Sequence, residues 1–161
     1  MEEQSVIHNT FVIERSFPST PERVFAAFSD PAKKRRWFAE SDSHEVEEFE
    51  MDFRVGGEEC ASYRFKEGTP LAGAKLSSVG SYQDIESNRR IVLSSTMSVG
   101  EMRISVALAT FQFVAAGQET MLIFTHQAIF FEHSDGPVMR EGGWRALFER
   151  LAKELTRPVR A

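Results

Sequence analysis

The stretch GGWRALFERLAKEL, residues 142–155, decides the fold. Trp144, Leu147, Phe148, Leu151, Ala152 and Leu155 recur at steps of three and four, which puts them on one stripe of an α-helix. Glu141 and Arg145, and Glu149 and Lys153, stand four residues apart as ion pairs on its outer side, and Pro158 marks its end. The spacing predicts one long amphipathic helix after Pro137. Gly142 and Gly143 fall inside it or at its start, where each glycine costs about 1 kcal/mol against alanine, so they predict a close backbone approach or a break.

Upstream of this helix the apolar period changes to two. Strands are expected over Val46 to Met51, Cys60 to Phe65, Lys75 to Glu86, Arg90 to Met97, Met102 to Val114 and Thr120 to Phe130. They are separated by turn chemistry such as Lys66-Glu67-Gly68, Ser87-Asn88, Val99-Gly100 and Ala116-Gly117, and connections this short imply an antiparallel meander. Ala107, Ala109, Phe111 and Phe113 share one parity, as do Leu122, Phe124, His126, Ala128 and Phe130; these are the expected inward faces. The opposite parity of the last strand, Met121, Ile123, Thr125, Gln127 and Ile129, is more apolar than a solvated face requires, and a homodimer contact is one candidate cover.

Nearer the start, His8 to Phe17 reads as a strand with Phe11, Ile13 and Phe17 inward and Arg15 reaching solvent along its stem. A short helix follows, capped by Ser19 or Thr20, with Pro21 in its first turn, Glu22 three residues after Ser19, and Val24, Phe25 and Phe28 as its stripe. Asp30-Pro31 repeats the signal and opens a second short helix through Lys33, Lys34, Arg35 and Arg36 to Trp37-Phe38. That basic run reads as a solvated helix face with cations near a helix C-terminus. Strand, two short helices, six strands and a long helix make an α+β chain. Its curved antiparallel sheet has one face to bury, and only the last helix is long enough to cover it.

Composition narrows the function classes. A chain of 161 residues with 42% hydrophobic and 27% charged residues is expected to form a single domain over 1–161. Lys plus Arg number 19 against 24 Asp plus Glu, a net charge of −5 that argues against a nucleic-acid partner. Cys60 stands alone and the four histidines are scattered, so neither an intrachain disulfide nor a structural metal is expected, and no cofactor motif is visible. The acidic start, MEEQSVIHNT, and the lack of an apolar run of about 20 residues lead to the expectation of a cytoplasmic chain with no membrane partner. Phenylalanine occurs 14 times against two each of Tyr and Trp, so the rings suit a core or an apolar pocket.

The arrangement of FVIERSFPSTPERVFAAFSDP, Trp37-Phe38, MDFRVGGE at 51–58, GQETMLIFTHQA at 117–128 and GGWRALFERLAKEL resembles the START-like helix-grip (SRPBCC) superfamily. Within it, the chain is similar to single-domain homologues of the activator of heat-shock-protein-90 ATPase, over about residues 8 to 156. Asp52-Phe53-Arg54-Val55-Gly56-Gly57 is the most specific piece, and Ala128 departs from an expected glycine. The resemblance implies a helix-grip fold with an apolar cavity between sheet and C-terminal helix. It also implies one of three roles: a small-molecule binder, a chaperone co-factor, or a cyclase or dehydratase type of enzyme. The eukaryotic activator pairs this module with another domain. Fold does not choose among these roles.

For the cavity wall the candidates are Trp37, Phe38, Phe53, Tyr63, Phe111, Phe113, His126, Phe130, Met139 and Trp144. The rings and Met139 supply apolar surface, while Tyr63 and His126 supply the polar contacts that orient a ligand. No residue is assigned a catalytic role. His126 is the one histidine expected to point inward and has the right intrinsic pKa for acid–base work, but the sequence places no Ser, Cys or Asp beside it. Arg54 reads as a structural ion pair, Cys60 as an inert thiol, and Glu58 and Glu59 as neighbours on opposite strand faces. The resulting expectation is a module that binds a small hydrophobic molecule, with contact to a chaperone as the rival reading.

Overall fold

The structure is a computed structural model that describes residues 6–158. In chain order the elements are β1 (Ile7–Phe17), α1 (Pro21–Ser29), α2 (Pro31–Lys34) running on through a π-turn over Arg35–Ala39, β2 (His44–Met51), β3 (Glu58–Phe65), β4 (Lys75–Glu86), β5 (Arg90–Val99), β6 (Met102–Ala116), β7 (Glu119–Phe130) and α3 (Gly136–Glu154). The strands form one antiparallel seven-stranded sheet in the order β1-β7-β6-β5-β4-β3-β2. Every connection from β2 to β7 joins sheet neighbours, as the short turns predict. β1 closes the sheet beyond β7, and the two short helices carry the chain across to β2 at the opposite edge.

Thr20 rather than Ser19 caps α1, its hydroxyl accepting from the Arg23 N–H, so the Ser19–Glu22 capping box does not form. Asp30 caps α2 by accepting from Ala32 N–H at 3.0 Å. The Trp37 indole donates to the Ala27 carbonyl at 2.8 Å and ties the second short helix to the first.

α3 is continuous through Gly142 and Gly143, against the expectation of a break or a close approach. A Cβ at either glycine would meet no heavy atom within 4 Å. The Glu141–Arg145 pair forms, whereas Glu149 pairs with Arg15 of β1 rather than with Lys153. Arg15 therefore joins helix to sheet instead of simply reaching water.

The basic run of α2 is not a solvated face either. Lys34 is buried in an ion pair with Glu59, and Arg36 forks onto Glu154 at 2.6 and 2.9 Å. The geometry of a helix lying on a sheet forces this: a side chain aimed between the two layers must find its counter-charge there.

Phe11, Ile13, Phe17, Val24, Phe28, Trp37, Phe111, Phe113, Phe124, Phe148 and Leu151 are buried in one cluster between the sheet, α1 and the C-terminal half of α3. The outer sheet face carries exposed Val12, Val106, Leu108 and Val114 alongside partly exposed Met121, Ile123 and Ile129. Among the described residues, no helix is long and apolar enough to cross a membrane, and no group of His, Cys, Asp and Glu could hold a metal ion.

Candidate functional site

Register across the sheet sets where helix and sheet meet and where they part. One cross-strand row reads Ile13, Phe124, Phe111 and Ile91 from β1 to β5, bulky at every position. Two residues further along, the row is Phe11, His126, Ala109, Leu93 and Tyr82. The next row is Ala128, Ala107, Ser95, Gly80 and Glu59, almost all small. A Cβ at Gly80 would stand 3.0 Å from both the Leu93 side chain and the Ser94 carbonyl, so any larger residue there would be tightly packed. Over these small residues the N-terminal half of α3 stands clear of the sheet.

The gap is a cavity of about 300 Å³. Its apolar wall includes Phe38, Ala61, Leu76, Leu93, Met97, Ala107, Ala109, Met139, Trp144 and Leu147, with the serines Ser78 and Ser95 among them. Trp144 closes the packed end: its ring centre lies 4.6 Å from that of Phe124 and 5.9 Å from those of Phe38 and Phe111.

Charged groups sit on the same wall. Lys34 and Glu59 each keep about 5% or less of the side chain exposed, and the Lys34 ammonium lies 4.9 Å from the Phe38 ring centre. Arg140 forks onto Asp135 through two 2.8 Å bonds, donates to Ser105 at 2.9 Å and stacks over Phe130 at 5.1 Å. Burial alone would raise the Asp135 pKa, but the Arg140 hydrogen bonds and charge outweigh it and hold the carboxyl below its ordinary value. His126 is 2% exposed, stacked on Phe11, and its Nδ1 is sealed without a partner among the described residues. Burial first and the Arg140 charge second lower its pKa to about 4, so the ring is neutral at physiological pH.

Tyr63 and His44 form the opposite corner. Their rings are 4.5 Å apart, and His44 Nε2 donates to the Ala39 carbonyl at 2.6 Å. Burial, then the Glu59 charge, pushes the Tyr63 phenol upward, which keeps it a donor.

Of the ten residues singled out from sequence, Phe38, Tyr63, His126, Met139 and Trp144 line the cavity. The other five lie in packing outside it. Trp37 is held by Ala27, Phe53 packs on Phe25 and Tyr82, Phe111 and Phe113 pack on Phe28, and Phe130 lies under Arg140. Sequence reasoning missed Lys34, His44, Glu59, Asp135, Arg140 and Arg150, all on the wall. A signal existed for two of them: Glu59 has the parity of Ala61 and Tyr63, and Arg140 lies four residues before Trp144 on the helix stripe. Arg54 pairs with Asp52, both exposed, and Cys60 is a half-buried thiol whose pKa is raised by burial and by neighbouring glutamates.

A seven-stranded antiparallel sheet gripping a C-terminal helix is an architecture shared with known proteins. The family model described as "Activator of Hsp90 ATPase homolog 1-like protein" matches residues 18–156. The chain belongs to this family. Among solved structures it is similar to the Mll3558 protein from Rhizobium loti, with 42% identity, TM-score 0.82, and 94% of this chain and 99% of that one covered. It is also similar to a putative uncharacterized protein from Rhizobium leguminosarum, with 32% identity, TM-score 0.89, and 98% and 100% covered. The AHSA1-like protein from Aeromonas hydrophila shares the fold at 20% identity and TM-score 0.65, covering 95% and 99%. No curated protein matches the chain. The family thus has the START-like helix-grip fold, a sheet wrapped on a C-terminal helix.

Proposed function

We propose that this protein holds a small, mainly apolar molecule in the space between the sheet and the N-terminal half of α3. The observation that carries this reading is the row Ala128, Ala107, Ser95 and Gly80, which leaves about 300 Å³ open under an otherwise close-packed helix. Interiors normally fill such space, and each unfilled volume costs stability, so a gap bordered by Trp144, Phe38 and Met139 with a few polar groups has the character of a ligand site. By the volume of water it would hold roughly ten water-sized units, which suits a ligand with a short alkyl chain or one ring. His126 borders the site without a hydrogen bond to Ser, Cys or Asp among the described residues, which favours binding over acid–base chemistry.

The test is a titration of intrinsic tryptophan fluorescence with 1-octanol and 3-phenylpropan-1-ol, since Trp144 borders the space. Saturable binding is expected in the parent protein. Ala109→Phe, which puts a ring into the gap, should abolish it while the unfolding transition stays cooperative. Equal affinity in Ala109→Phe would remove the cavity from the account.

A further inference from the structure

The charges around the cavity do not balance. Lys34 pairs with Glu59 and Arg140 with Asp135, so these four wall charges cancel two by two. Arg150 of α3 remains. It is half-buried, and among the described residues it makes neither a hydrogen bond nor an ion pair. Glu40 and Asp42 act on it only through space, from a groove on the other side that Arg150 also borders. Tyr63 is within its electrostatic reach on the cavity side, and the Tyr63 hydroxyl likewise has no hydrogen-bond partner among the described residues.

Arg150 and Tyr63 thus bring a guanidinium and a phenol O–H, neither with a hydrogen-bond partner among the described residues, to one part of the wall, and such a pair selects for an acceptor. A guanidinium offers a planar fork of N–H groups and no acceptor, and the phenol adds an O–H. Lys34 and Arg140 are each already held by a carboxylate, Glu59 and Asp135, so their charge is offset before a ligand arrives. One spare positive charge matches a monoanion, whereas a phosphate monoester would bring close to two negative charges.

The geometry points to a small amphipathic carboxylate as the ligand, its alkyl or aryl body over Leu93, Ala107 and Ala109 and its carboxylate on Arg150 and Tyr63. This rests on the cavity reading above and adds the chemical class. Arg150 supplies the fork that a planar carboxylate fits, Tyr63 a third donor, and Trp144 and Phe38 the apolar enclosure that strengthens the charged contact.

The experiment compares octanoate with 1-octanol at pH 7.5, by tryptophan fluorescence and by calorimetry. Five proteins are used: the parent, Arg150→Gln, Arg150→Lys, Tyr63→Phe and Ala109→Phe. The parent should prefer octanoate by roughly tenfold or more, the scale of a charge-assisted hydrogen-bonded pair. Arg150→Gln should erase that preference by weakening octanoate alone, with 1-octanol within about twofold of the parent. Arg150→Lys, which keeps the charge and loses the fork, should retain part of it, and Tyr63→Phe should lose a smaller part. If 1-octanol binds the parent as well as octanoate, or Arg150→Gln weakens both probes equally, the carboxylate assignment is overturned. Sensitivity of both probes to Ala109→Phe would then leave the cavity reading standing. Failure of both probes to bind the parent overturns the two together.

Discussion

The two ends of the sheet's inner face have the same backbone and opposite interiors. At the α1 end, Ile13, Phe124, Phe111 and Ile91 face Phe28, Phe148 and Leu151, and ring centres stand about 5 Å apart with no space between. Two rows away, Ala107, Ser95 and Gly80 face Met139, Gly143 and Trp144 across open space. One unbroken helix covers both ends. Beneath that single helix, the size of the strand residues decides whether the interior is filled. The cavity is therefore written in small residues, and the rings next to it mostly record where it stops.

That contrast predicts unequal sensitivity to truncation. Phe28→Ala removes a fully buried ring that touches Trp37, Phe111 and Phe113, and should cost about 3–5 kcal/mol in urea unfolding. Met97→Ala borders existing space and is only half-buried, so about 1 kcal/mol is expected. Equal costs would mean that the open end is packed in solution.

Charge deletion probes the open end from the other side. In Lys34→Met the Glu59 carboxylate would be left buried without a counter-ion, a loss of about 3 kcal/mol or more. The double variant Lys34→Met, Glu59→Met should regain most of it, because no lone charge then remains. If the double variant is as unstable as the single one, the pair matters for shape rather than for charge, and the thermal midpoints of the three proteins decide between these.

Sequence reasoning reached the strands, the meander from β2 to β7 and the gripping helix, because period-two and period-3.6 patterns are properties of single elements, whereas the place of β1 beside β7 is a long-range pairing that no such pattern carries. Parity alone placed Phe111, Phe124 and His126 inward, where the structure has them. The cavity was only half legible. An inward ring looks the same in sequence whether it meets another ring or empty space, which is how Phe111, Phe113 and Phe130 came to be expected on a wall that they do not touch. Finding the gap needs the register of several strands at once, since Ala107, Ser95 and Gly80 are unremarkable until they align. Lys34 was hidden for a different reason: in a run of four cations, only the packing of α2 on β3 shows which one turns inward.

His126 sits where the two ends meet, and its titration tests which side governs it. Its pKa drops from 6.5 to about 4 because burial disfavours the imidazolium and Arg140 adds a like charge. The unfolded chain takes up a proton near pH 6.5 that the folded one refuses until about pH 4. Stability from this group is thus complete above pH 6.5 and is lost as pH falls towards 4, at up to about 1.4 kcal/mol per pH unit. Urea midpoints measured from pH 7 to pH 5 should fall more steeply for the parent than for His126→Leu. Parallel curves would mean that His126 is solvated through the cavity and belongs to the open end.

The smallest effect is the sharpest test of the idea that space is deliberately kept under α3. Gly142 and Gly143 both lie within the helix, and a Cβ at either meets nothing within 4 Å, so sterics forbid alanine at neither position. Gly142→Ala and Gly143→Ala should each therefore stabilise the protein by about 0.5–1 kcal/mol through helix propensity alone. Only Gly143 borders the cavity. If room for a ligand is what keeps glycine there, Gly143→Ala should gain stability and weaken probe binding, while Gly142→Ala gains stability with binding unchanged. Identical binding in both variants would separate the glycines from the cavity and leave helix flexibility as their effect. The comparison depends on two adjacent positions of the same residue type in the same helix, so propensity cancels and only the direction of the added methyl differs.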